Sequence, residues 1–175
     1  MYVLIGSVVL LAVVFARSSA GKMRPEAFTA FADTVEQLGP VPRRLVRPAA
    51  GALVAAEAAT AVLLLVVPVV GLVLATGLLA VFCVVIGTAM HRRLTVACRC
   101  FGSGDAPLGR WHLARNGLLV AVAVSGLVAT TGRTAPLTAA HPAGAAITVA
   151  GALVAALVIM HLDELADLFS APARR

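Results

Sequence analysis

Val69 to Met90 reads VVGLVLATGLLAVFCVVIGTAM, twenty-two residues without a single charge. A helix rising about 1.5 Å per residue crosses the roughly 30 Å hydrocarbon core of a bilayer within such a length. Just upstream, Pro48 to Val67 is a second apolar run, and Pro68 and Gly71 supply an uncharged tight turn between the two. Two oily helices joined in this way place the chain in the all-α class, as an integral membrane helical bundle. The composition agrees: 61% of the 175 residues are hydrophobic, 13% are charged, and the mean hydropathy is +0.99. Soluble domains carry about 25% charged residues.

Working outward, about five transmembrane helices are expected, near residues 1–17, 48–67, 69–91, 111–131 and 143–162, in one domain spanning 1–175. The first run has no basic residues before it and is read as a short span rather than a cleaved leader. Between the first two spans, Pro25 to Leu38 sets Phe28, Phe31, Val35 and Leu38 at helical spacing behind an N-terminal proline, which predicts a short amphipathic helix lying on the membrane surface. Glu57 falls midway along the second span. A carboxylate at that depth must face the bundle interior and find a partner, or be protonated. Cys83, inside the third span, reads as a small buried hydrophobe. Trp111 marks an interface, with Arg115 and Asn116 one turn further in, read as a snorkelling pair or, for Arg115, as a salt-bridge partner of Glu57.

The net charge of +6 and pI near 10.6 would suggest nucleic acid in a soluble chain. Here the basic residues cluster at the ends of apolar runs and read as topology determinants, so membrane lipids are the expected surroundings and no nucleic acid partner is expected. The first polar segment, the loop 92–110 and the C-terminal tail fall on one side of the membrane, and with their flanks they hold thirteen of the fourteen Lys and Arg; Arg133 is opposite. Positive charge stays inside, so the N-terminus is expected outside, and the C-terminus and loop 92–110 in the cytoplasm.

That loop contains Cys98-Arg99-Cys100-Phe101-Gly102, two of the chain's three cysteines around one arginine. Thiolate is the nucleophile and soft-metal ligand, and a neighbouring guanidinium favours it. Three uses are open: a redox pair cycling by thiol–disulfide exchange, with Glu57, Arg115 or His112 as buried charge partner or proton relay; a docking or assembly protein whose thiols are incidental, its contact made by the Phe28 and Phe31 face; and soft-metal handling. The last has the least behind it, since only His91 and His112 flank the thiols; no metal site and no cofactor are expected.

Several of these residues together resemble a known family, the methylamine utilisation MauE proteins, related to the DoxX-like membrane proteins. The matching elements are Lys22-x-x-Pro25-x-x-Phe28, Glu57 ahead of Leu63 to Leu65, Cys98-x-Cys100-Phe101-Gly102, and Trp111-x-x-x-Arg115-Asn116. The resemblance implies a DoxX-like four-helix core in a bacterial inner membrane protein. It also implies an accessory role with a thioredoxin-like partner in maturing the disulfide-rich small subunit of methylamine dehydrogenase, with Cys98 and Cys100 as the redox pair. That subunit is matured outside the cytoplasm, whereas charge places the loop inside. Either the bundle relays electrons across, or the loop dips into the membrane and is reached from the far side.

Overall fold

In the computed structural model, which describes residues 1–38, 41–92, 110–131 and 141–161, every regular element is helical. The order is α1 (Tyr2–Lys22), α2 (Pro25–Leu38), α3 (Arg43–Val66), α4 (Pro68–His91), α5 (Arg110–Thr131) and α6 (Pro142–Met160). All but α2 are long and apolar enough to cross a membrane. Three of the six begin on a proline, where the missing N–H costs nothing because no acceptor precedes it in the helix.

Two boundaries differ from the sequence reading, each for a packing reason. α1 runs five residues past Arg17, to Lys22, because Ser18, Ser19 and Lys22 turn inward and are buried. α3 starts at Arg43 rather than at Pro48 and continues through the proline. Pro48 removes one hydrogen bond near the helix start, and the added turn buries Val46 against α2.

Helix α1 packs against α3, α5 and α6, while α4 packs against α3 and α5. α1, α3, α4 and α5 therefore form a four-helix core with α1 and α4 across its diagonal, and α6 lies on the outer side of α1. Leu4, Leu11, Leu64, Leu72, Leu79 and Leu119 fill the middle. Apolar side chains gain little by leaving lipid for protein, so close approach matters more than greasiness, and small residues supply it. A Cβ on Gly126 of α5 would lie 2.9 Å from Ser7 Cβ and 3.0 Å from Leu72 Cδ2. On the outer side, Tyr2 of α1 fills the space over Gly144 of α6, and Thr148 of α6 approaches Gly6 of α1. Sequence numbers rise together across these contacts, so α1 and α6 are parallel.

The meeting of Ser7, Leu72 and Gly126 sets the start of α1, the start of α4 and the end of α5 at one end of the bundle. Lys22, α2, Arg43, His91 and Arg110 gather at the other. Arg17, Arg24, Arg43, Arg44, Arg47 and Arg92, all exposed, lie toward that second end, so it is strongly basic.

α2 covers the periodicity expected of it, but its apolar side meets protein. Phe31 and Ala32 are buried against Val46 and Ala50 of α3, with Phe28 and Val35 packed alongside. The surface helix of the sequence reading is thus a brace across the foot of α3, and the Phe28 and Phe31 face is already occupied. An exposed pair, Arg43 Nε to Glu36 Oε1 at 2.6 Å, links the end of α2 to the start of α3.

Candidate functional site

The arrangement begins with the direction in which helical side chains lean. Each tilts toward the N-terminus of its own helix, and α1 and α3 run in opposite directions. Lys22, at the end of α1, therefore leans into the bundle, and Glu57, midway along α3, leans down to meet it. Lys22 Nζ donates to Glu57 Oε1 at 2.6 Å and to Oε2 at 2.7 Å, and its third bond goes to Ser18 Oγ at 2.9 Å. Ser18 Oγ in turn donates to Glu57 Oε2 at 3.1 Å. An ammonium has three donors, and all three are used here.

The pair is sealed. The two side chains are 2% and 1% exposed. The Phe31 ring of α2 covers the ammonium with its centroid 4.8 Å from Nζ, and the Phe82 ring of α4 lies 6.0 Å away. An aromatic face attracts a desolvated cation by about 2 kcal/mol, so α2 is held by charge as well as by its apolar contacts. Phe31→Leu keeps most of the apolar volume and removes the ring. We expect it to lower stability by about 1–2 kcal/mol, and the effect should vanish in a Lys22→Met background; denaturant titration of the four proteins of that cycle measures it.

The polar layer extends to α5. Eleven residues separate Ser7 from Ser18 on α1, and eleven separate Arg115 from Gly126 on α5; since Ser7 and Gly126 touch, Arg115 comes level with Ser18. Arg115 is 2% exposed and is the largest fully buried side chain among the described residues, with His112 and Asn116 buried beside it on the same helix. Asn116 Nδ2 donates to the His112 carbonyl at 2.8 Å. The pair read as snorkelling is thus enclosed by the bundle. Thr60, one turn along α3 from Glu57, is also buried and bonds back to the Ala56 carbonyl at 2.7 Å.

Of the candidate residues, Glu57 and Arg115 are both in this layer, and the carboxylate's ion-pair partner is Lys22. Lys22 and Ser18 join the site because α1 continues past Arg17, the end of the span expected from sequence. The signal was present in the i, i+4 spacing of Ser18 and Lys22, which puts both on one helix face. Cys83 is partly buried on α4, next in sequence to Phe82. Cys98, Arg99 and Cys100 lie outside the described residues. Among the described residues no group of three or more His, Cys, Asp or Glu could hold a metal ion.

No curated protein and no solved structure matches the chain. The sequence profile of one family, described as "Methylamine utilisation protein MauE", matches residues 1–129, which take in the four-helix core, α2 and the whole buried polar layer. With nearly three quarters of its length matched and five helices fit to cross a membrane, this chain belongs to the MauE family of methylamine utilisation proteins, as a multi-pass membrane member.

Proposed function

We propose that this protein is a membrane thiol–disulfide accessory protein whose working pair is Cys98 and Cys100, with Arg99 stabilising the attacking thiolate. The observation that carries this reading is the C-x-C-F-G motif within the family-matched stretch. It is supported by the place of the motif in the chain, between His91 at the end of α4 and Arg110 at the start of α5, two helices that pack side by side. In the exchange, one thiolate attacks a disulfide of a thioredoxin-like partner and releases a partner thiolate, forming a mixed disulfide. The second cysteine then displaces the remaining partner sulfur. Two electrons and two protons leave this chain, which ends as the Cys98–Cys100 disulfide, and the partner ends as a dithiol; the reverse exchange uses the same steps. A disulfide across one intervening residue is sterically tight, and strained disulfides are labile and oxidising. That suits exchange better than permanent stapling.

The buried layer has a supporting role in this scheme. Lys22 and Glu57 tie α1 to α3, and Arg115 is enclosed about one turn beyond the start of α5, so the end of the bundle from which the loop departs is firmly held. We place that end at the cytoplasmic face of a bacterial inner membrane, with the N-terminus outside, because it carries the basic residues. The substrate class is the disulfide-rich small subunit of methylamine dehydrogenase or its thioredoxin-like escort.

The test is trapping in cells. Cys100→Ser should accumulate a mixed disulfide through Cys98, or Cys98→Ser one through Cys100, visible as a reducible adduct on a non-reducing gel. Absence of any adduct from both single variants would sink the redox reading, and an active Cys98→Ser, Cys100→Ser double variant would leave an assembly role in its place.

A further inference from the structure

Arg17 is exposed on α1, five residues before the helix ends, and among the described residues it takes part in no ion pair or hydrogen bond. A guanidinium on the outer side of a membrane span is costly unless it reaches the interface or meets an anion. Helical side chains normally lean toward the N-terminus, yet this one runs the other way. A Cβ placed on Gly21, one turn further on, would lie 3.8 Å from Arg17 Nη1. The glycine leaves a shallow notch beside the guanidinium, and no other atom outside its own turn comes within 4 Å of that spot. Three residues beyond Gly21 is Arg24, exposed just past the helix end, where Met23 still has helical torsions (φ −74°, ψ −18°). Residues 17, 21 and 24 therefore share one side of the helix.

The same side of α1 is covered by α6 nearer the other end. From the Gly6–Thr148 contact, eleven residues along each helix lead to Arg17 on α1 and Ile159 on α6, one residue short of the end of α6. Among the described residues, the cover over this side of α1 ends with α6, level with Arg17. Ala16 and Ala20, both exposed, flank them with small apolar surface.

We infer that Arg17, Gly21 and Arg24 form a binding site for the phosphodiester of an anionic diacyl phospholipid, with the phosphate between the two guanidiniums over Gly21 and the acyl chains along Ala16 and Ala20 beneath the end of α6. A headgroup of net charge −1 complements two cations; a zwitterionic one brings its own ammonium against them. The site is separate from the buried pair and does not depend on the redox reading.

The full chain, purified in mild detergent and exchanged into bilayer discs of equal phosphatidylglycerol and phosphatidylcholine, is the material for the test. Lipid retained on re-extraction is counted by mass spectrometry. Each interfacial arginine favours anionic lipid by about fivefold, so the wild type should retain phosphatidylglycerol roughly 20-fold over phosphatidylcholine. Arg17→Gln with Arg24→Gln should bring the ratio near one. Gly21→Leu, which keeps both charges and fills the notch, should lower it several-fold. Arg44→Gln with Arg47→Gln removes two charges from the same end and should leave it unchanged. Equal loss in both arginine double variants would mean a diffuse surface charge and overturn the site. No preference in the wild type would overturn it as well.

Discussion

Lys22→Met should destabilise the protein by about 3–5 kcal/mol, because it leaves the Glu57 carboxylate buried and without its counter-ion. Glu57→Gln should cost less. Lys22 is the last residue of α1, and its ammonium retains Ser18 Oγ, the Phe31 ring and a short route to the interface. Glu57 is nine residues from one end of α3 and fourteen from the other, and no such route exists for it. Lys22→Met combined with Glu57→Leu should be milder than Lys22→Met alone, since replacing a buried ion pair by apolar groups of similar volume is often close to neutral. Denaturant titration in detergent of the wild type, the single variants and the double variant gives the order. If Lys22→Met proves the mildest, Arg115, which is level with Ser18, has taken over the carboxylate, and the pairing first read from the sequence is available to the protein after all.

A single methyl group at position 71 should cost nearly as much, about 3 kcal/mol, at the upper end for overpacking. Val67 accepts a hydrogen bond from the Gly71 amide at 3.0 Å as α4 begins, and this first turn lies directly on the last turn of α3. A Cβ on Gly71 would come within 2.5 Å of Leu64 Cα and 2.8 Å of the Leu63 carbonyl carbon, with Leu64 N closer still. These are backbone atoms, so no rotamer change relieves the clash, and the two helices must part at the turn. Gly77 and Gly87, on the same helix, have nothing within 4 Å of the corresponding position. Gly77→Ala and Gly87→Ala should therefore stabilise by about 0.5–1 kcal/mol, through helix propensity and the lost freedom of the unfolded chain. One substitution type thus has opposite signs along one helix. A neutral Gly71→Ala in thermal unfolding would show that the turn opens without cost.

The buried layer and the cysteine motif stand differently toward the proposed chemistry. Lys22, Glu57 and Ser18 satisfy one another, which suits a clasp more than a reaction centre. In the proposed scheme the sulfur chemistry belongs to Cys98 and Cys100 instead. Loss of Lys22 should therefore lower folded yield first and the rate of disulfide exchange per folded molecule little, whereas loss of Cys98 or Cys100 should abolish exchange and spare folding.

What the amino-acid sequence determined alone was most of what varies along the helix axis, the end of α1 and the start of α3 excepted. Runs of about twenty apolar residues give the number of spans, Pro25 marks the start of α2, and the alternation of Phe28, Phe31 and Val35 with Glu26 and Asp33 gives α2 residue for residue. Arginine and lysine placement gathers the charge at one end. What only the tertiary structure decided is direction around the axis. A soluble helix declares its inner face by its apolar stripe, but a span that is apolar all round declares none, because lipid and protein interior are equally oily. Arg17 facing out, Lys22 and Arg115 facing in, and α2 resting on α3 rather than on lipid all follow from which helices stand beside which. Those neighbours are set by side chains seated on Gly6, Gly126 and Gly144 and by the buried Lys22–Glu57 pair, contacts between residues far apart in the chain.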